Sequence, residues 1–239
     1  MAAALPPKAC AFFDLDRTLL DVNSGRLWVK SELALGYLSR WQAARAGLHL
    51  ARYHLGFGRI EAILRDAVAT LAGTAEQDLS ARTTAFYVEA VAHRLRPGAA
   101  VAVARHRALG ERCVLLTTSS NYLARLAAAD LGLDDILCSR FEVDATGCFT
   151  GRPLEPLCFG AGKVTMATAW AAQAGLSLAD CAFYSDSYSD LPMLAAVGRP
   201  VAVNPDPRLQ RHARAHHWPV EDWGASGQPP VPGTPRAQK

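Results

Sequence analysis

Five short, nearly continuous apolar runs, at residues 9–15, 113–116, 136–138, 181–184 and 200–203, punctuate this chain. A run without polar alternation is the pattern of a strand buried on both faces. Helical spacings fill the intervals at residues 99–109, 122–131, 163–174 and 191–197, and Gly110, Gly132, Gly175 and Gly198 stand where those helices should stop. Strands that alternate with helices predict an α/β fold: a doubly wound, mainly parallel sheet covered on both sides.

Residues 22–94 break the alternation. Trp28, Leu35, Leu38, Trp41, Tyr53, Ile60, Leu64, Leu71, Phe86 and Val91 recur at helix-like spacings, with no convincing strand. This predicts an all-helical insertion that rejoins the sheet near Arg96-Pro97-Gly98. A chain of 239 residues is long enough for a full core with such an insert. The expected division is a core of residues 1–21 and 97–223 and a helical cap of 22–96. Residues 141–150 alternate around Asp144-Ala145-Thr146-Gly147, which predicts a β-hairpin. Residues 224–239, rich in Pro, Gly, Ser and Gln and lacking aromatics, are expected to be a disordered tail.

Composition narrows the partners. A net charge of +3 is too small to argue for nucleic acid or membrane, and the basic stretch 208–217 reads as a solvated helix face. Cys10, Cys113, Cys138, Cys148, Cys158 and Cys181 stand singly, which suits a reducing cytoplasm better than a disulfide framework. Neither a signal-peptide pattern nor a membrane-length apolar run is evident. His212 and His216 have metal-like spacing but no Cys or carboxylate beside them.

Four short motifs lie at strand ends or helix starts. Asp14 and Asp16 close the first strand, where doubly wound sheets bind ligands, and residues two apart face the same side. Asp186 and Asp190 follow the fourth apolar run, spaced so that both can approach one cation. Hard oxygen ligands on neighbouring strand ends suit Mg²⁺. Thr117 directly follows Val114-Leu115-Leu116 and leads into a helix whose first N–H groups can bind an anion. Thr118, Ser119 and Ser120 could serve there equally. Lys163 opens another helix in Gly160-Ala161-Gly162-Lys163, which is no Walker A loop because residue 157 is Leu. Singly, each motif has an ordinary explanation as a helix cap or a solvated charge.

Together, Asp14-Leu15-Asp16-Arg17-Thr18, the Thr117 cluster, Lys163 and Asp186-Ser187-Tyr188-Ser189-Asp190 resemble the haloacid dehalogenase superfamily of hydrolases over residues 9–223. The insertion looks like that family's C1 cap. Asp186 to Leu194 and the later Asn204-Pro205-Asp206 look like its phosphoserine-phosphatase-like branch, subfamily IB. The resemblance implies a phosphomonoester hydrolase that forms an aspartyl-phosphate on Asp14. Asp16 would act as general acid and then base. Mg²⁺ would be held by Asp14, Asp186 and the backbone carbonyl of Asp16, with Asp190 orienting a bound water. Thr117, the backbone N–H of Thr118, and Lys163 would hold the phosphoryl oxygens. A cap that opens and closes would admit substrate and exclude stray water.

Two positions depart from the pattern. Ser185 replaces the usual Gly before Asp186. Asn23 stands nine residues after Asp14, where phosphoserine phosphatases carry a substrate-binding Glu, and a neutral amide cannot pair with an ammonium. The implied substrate is a small soluble phosphate ester: histidinol phosphate, phosphocholine or another phosphorylated small alcohol. Asn23, Arg26, Trp28 and Arg59 are the candidates for contacting its leaving group. A phosphotransferase or mutase would use the same intermediate. A receiver domain shares the strand-end Asp, hydroxyl and Lys, but should be shorter and lack Asp16. The oligomeric state is not legible.

Overall fold

A computed structural model describes residues 9–39, 41 and 60–227. The candidate Arg59 and the cap position Tyr53 lie outside the described residues, as does the expected tail from 228 onward. Seven strands among them form one sheet: β1 (Cys10–Phe13), β2 (Arg112–Ser120), β3 (Asp135–Val143), β4 (Phe149–Leu154), β5 (Cys181–Ser185), β6 (Arg199–Val203) and β7 (Val220–Glu221). Their order is β4-β3-β2-β1-β5-β6-β7, and every pair is parallel except β3 with β4. β1, the strand that carries the first acidic pair, therefore sits in the middle.

Alternation along these strands explains the two cores. Ala11 and Phe13 of β1, Cys113 and Leu115 of β2, and Ala182 and Tyr184 of β5 point to one face. Cys10, Phe12, Val114, Leu116, Cys181 and Phe183 point to the other. Both faces are apolar because both are covered, which is why the strands read as unbroken apolar runs. Helices α4 (Pro97–Ala108) and α5 (Asn121–Leu131) cover the first face; α6 (Ala161–Gln173), α7 (Leu191–Ala196) and α8 (Pro207–Ala215) cover the second. α5 stops on Gly132, whose φ of 62° is the left-handed conformation that glycine adopts without cost. β3 and β4 form the expected hairpin, closed by Asp144 and Gly147. The cysteines are all free thiols, and no described helix is long and apolar enough to cross a membrane.

Between β1 and β2 the described chain is helical: α1 (Ser24–Ala34), α2 (Ile60–Ala69) and α3 (Glu76–Phe86), followed by short turns to Arg94. Its two ends are clasped together. Leu20 and Leu95 form an antiparallel bridge, Asp21 N–H donates to the Arg94 carbonyl at 2.9 Å, and Arg96 N–H donates to the Leu19 carbonyl at 2.8 Å. The far side of this segment is also docked. Gly73 N–H donates to the Phe149 carbonyl, Phe149 N–H to that of Thr74, and Glu76 N–H to that of Gly147, each at 2.9 Å. The Tyr122 hydroxyl adds a bond to Glu76 Oε1 at 2.7 Å.

One strand was not anticipated, and the start of the expected tail is tied down. β7 is a two-residue edge strand that pairs Val220 with Ala202 and Glu221 with Val203, too short to show a pattern in sequence. The expected tail does not begin free at residue 224. Ser226 donates through N–H and hydroxyl to Asp21 Oδ2, at 2.9 and 2.7 Å, and the Gly224 carbonyl accepts from Arg96. Partners at the two ends of the helical segment, Asp21 and Arg96, anchor these polar residues, which have little apolar surface of their own.

Candidate active site

The chain leaves β1 at Asp14, whose N–H still bonds the Tyr184 carbonyl at 2.9 Å. It then closes a tight turn, Leu15–Leu19, with Arg17 at a φ of 60°. The turn returns Thr18 toward β5. Thr18 Oγ1, fully buried, accepts the Asp186 N–H at 3.0 Å and lies 3.4 Å from Asp186 Oδ1. Two motifs 168 residues apart are thus joined.

Lys163 reaches the same place from the first turn of α6. Gly162 makes this approach feasible: a Cβ there would lie 1.9 Å from the Leu157 carbonyl oxygen. Lys163 Nζ donates to Asp14 Oδ1 at 2.7 Å and to Asp190 Oδ2 at 2.8 Å, and the lysine is only 1 % exposed. Asp190 Oδ2 also accepts from Ser185 Oγ at 2.7 Å. Ser185, standing in place of the expected Gly, is itself fully buried and therefore braces Asp190.

Burial dominates the electrostatics. Desolvation opposes the Lys163 charge, but the carboxylates of Asp14 and Asp190 outweigh it and hold the ammonium above its ordinary pKa. Desolvation raises Asp14 to about 7 against the pull of Lys163, with Asp190 adding repulsion. Asp186 is pushed up to about 8, again mainly by burial and then by Asp14 and Asp190. Asp16 is raised by burial and drawn back by hydrogen bonds from Ser24. Buried like charges at this density call for a cation.

Lys163 alone does not supply enough charge. It engages Asp14 and Asp190 and leaves Asp186 to Thr18. The residues that the resemblance names for Mg²⁺, the carboxylates of Asp14 and Asp186 and the carbonyl of Asp16, offer the hard oxygens that suit that ion. No three His, Cys, Asp or Glu side chains among the described residues converge as a cage. Mg²⁺ does not require one, because it usually retains several waters.

The end of β2 narrows the rival hydroxyls. The β2–β3 register shifts between Thr117 and Ser120, so the strand bulges there and re-aims its side chains. Thr118 Oγ1 turns away to the Cys158 carbonyl at 2.9 Å. Ser119 Oγ lies 3.4 Å from Ser24 Oγ. Thr117, 1 % exposed, stays at the strand end with its Oγ1 accepting the Ser119 N–H at 3.2 Å.

The cap candidates fare differently. Asn23 Oδ1 accepts the Arg26 N–H at 2.9 Å, so this side chain is the N-cap of α1. Trp28 packs edge-on against Phe86 with ring centroids 5.2 Å apart, a core contact. Arg26 is exposed. No sequence signal marks Glu32, buried in α1 and paired with Arg82 Nη1 at 2.7 Å, or Ser24, whose N–H donates to Asp16 Oδ1 at 2.7 Å.

Comparison with known proteins decides the family. The model of haloacid dehalogenase-like hydrolases matches residues 11–195. The chain belongs to that family. Within it, the chain is 29 % identical to a histidinol-phosphatase of Neisseria meningitidis over 217 residues, covering 89 % of this chain and 98 % of the relative. It is 32 % identical to a phosphoserine phosphatase of Mycobacterium tuberculosis over 233 residues, covering 96 % and 75 %. A crystal structure of a Bordetella pertussis protein of unknown function superposes with a TM-score of 0.82 at 32 % identity, covering 90 % of this chain and 98 % of the other. This haloacid dehalogenase-like hydrolase is therefore an enzyme whose buried acids and lysine lie within the matched span.

Proposed function

We propose that this hydrolase cleaves a small phosphate monoester through an aspartyl-phosphate on Asp14, with Mg²⁺ as cofactor. The observation that carries this is the buried convergence of Asp14, Lys163, Asp190 and Asp186. Asp14, Asp186 and the Asp16 carbonyl would hold the metal. Bound Mg²⁺ supplies the positive charge that keeps the two carboxylates ionised and offsets the phosphoryl oxygens.

In the first step a carboxylate oxygen of Asp14 attacks phosphorus and the bond to the leaving oxygen breaks. Asp16 gives that oxygen its proton. In the second step Asp16 takes a proton from water as the water attacks phosphorus, and the Asp14 carboxylate departs. One group therefore serves as acid and then as base. Thr117 Oγ1, the Thr118 N–H and Lys163 Nζ hold the phosphoryl oxygens as their charge redistributes. Lys163 is already ordered by Asp14 and Asp190, so little reorganisation is needed when phosphate arrives. Asp190, braced by Ser185, would orient a metal-bound water.

Residues 22–96 act as the cap that faces the leaving group. Because Gly73 and Glu76 are docked on the hairpin at Phe149 and Gly147, the α1 side of the segment is the part that would open. The leaving group is a small alcohol, as in the histidinol-phosphatase and phosphoserine phosphatase relatives. With Asn23 serving as a helix cap, the usual acidic partner of a phosphoserine ammonium is missing from that position, which counts against phosphoserine and leaves histidinol phosphate, phosphocholine or another small alcohol phosphate as the substrate class. The test is phosphate release from a panel of phosphorylated metabolites with Mg²⁺ and with EDTA. Metal-dependent release without any acceptor supports the reading. Transfer only to an added alcohol would replace hydrolase with phosphotransferase.

A further inference from the structure

We propose that Ser24 is a positioning residue for Asp16, tying the proton-handling carboxylate to the first turn of α1. The proposal rests on the acid–base role given to Asp16 above. Ser24 N–H donates to Asp16 Oδ1 at 2.7 Å, and Ser24 is 1 % exposed. It is the first residue of α1, where a backbone N–H has no partner within the helix. Asn23 caps the helix through the Arg26 N–H, which leaves the Ser24 donor for Asp16. The positive end of the helix favours a carboxylate at this point. The Ser24 hydroxyl lies 3.4 Å from Ser119 Oγ, so the same residue touches the bulged end of β2 after Thr117. Movement of α1 would carry the Asp16 carboxylate with it, and the acid would be in register only when the cap is.

Ser24→Pro removes the donor with little strain on the helix. Proline suits the first helical position, and Asn23, at φ −96° and ψ 108°, already has the extended conformation that a residue before proline needs. Ser24→Ala keeps the donor and removes only the hydroxyl. Leaving-group release is measured in single turnovers with enzyme in excess and Mg²⁺ present, for p-nitrophenyl phosphate and for glycerol 2-phosphate. The first leaving group departs without a proton; the second needs one.

Ser24→Pro is expected to slow glycerol release by about tenfold or more, part of the factor a general acid contributes, while p-nitrophenolate release changes little. Ser24→Ala, which keeps the N–H but loses the hydroxyl's own hydrogen bond to Asp16, should slow glycerol release by less than Ser24→Pro does. Equal losses on both substrates, or no loss on either, overturn the proposal. If Ser24→Pro does not fold, the Ser24 amide proton decides: a downfield resonance that moves upfield in Asp16→Ala supports it, and an unmoved one overturns it. Asp16→Asn is the control for the underlying mechanism. If it shows no difference between the two substrates, the acid role of Asp16 fails whatever Ser24 does.

Discussion

The ammonium of Lys163 stands 2.7 Å from a carboxylate oxygen of Asp14, across 149 residues of sequence and almost sealed from solvent. The pair turns a strand end and a helix start into one charged centre. Each partner needs the other, because neither charge is well solvated where it lies.

Replacing Lys163 with Met leaves Asp14 and Asp190 buried without their shared cation. Removal of one member of a buried ion pair costs about 3–5 kcal/mol. Thermal melts should show that loss, and kcat should fall by about 10²–10³, the scale of losing one electrostatic stabiliser of the transition state. A variant of undiminished stability would show that Lys163 is not paired in solution.

Metal and pH should act through Asp186. Its carboxyl, pushed up to about 8 from an ordinary 3.8, binds a proton in the folded protein that the unfolded chain has already released. The folded state thus binds more protons between those values, and this group's contribution to stability falls as pH rises through that window. The slope approaches about 1.4 kcal/mol per pH unit for one group. Melts of the EDTA-treated protein from acid to pH 8 should fall more steeply for wild type than for Asp186→Asn. Mg²⁺ should restore more stability at pH 8 than at pH 5, and identical slopes for the two proteins would contradict the burial described.

The helical segment should move unevenly. Amides of Gly73, Glu76 and Phe149, held by backbone carbonyls on both sides of the contact, should exchange slowly with or without orthovanadate and Mg²⁺. Faster exchange of these three in the free enzyme would mean that the entire segment swings.

Much of this architecture could be read in sequence because its signals are local. Runs such as residues 181–184 announce a strand buried on both faces, and Gly132 marks the end of α5. The candidate acids and Lys163 were legible because each sits where such a run ends or a helix begins. Partner choice was not. Ser24 meets Asp16 and Ser119, Thr18 meets Asp186, and Ser226 meets Asp21; the last two pairs span 168 and 205 residues, and no periodicity encodes them. Asn23 shows the converse. A polar residue at a family position suggested substrate contact, but Asn is also a favoured N-cap, and the helix beginning at Ser24 takes it.

Substitution separates the two roles assigned to the strand-end acids. Asp14→Asn should abolish turnover, since an amide cannot attack phosphorus, while folding persists. Asp16→Asn should retain the nucleophile but lose the base for the second step, so turnover slows.

The most direct measurement is the mass of Asp16→Asn protein quenched in acid after incubation with p-nitrophenyl phosphate and Mg²⁺. The expected result is a species heavier by one phosphoryl group, with fragmentation placing it on Asp14. Phosphate on another side chain, or steady hydrolysis by Asp14→Asn, would contradict the aspartyl-phosphate mechanism.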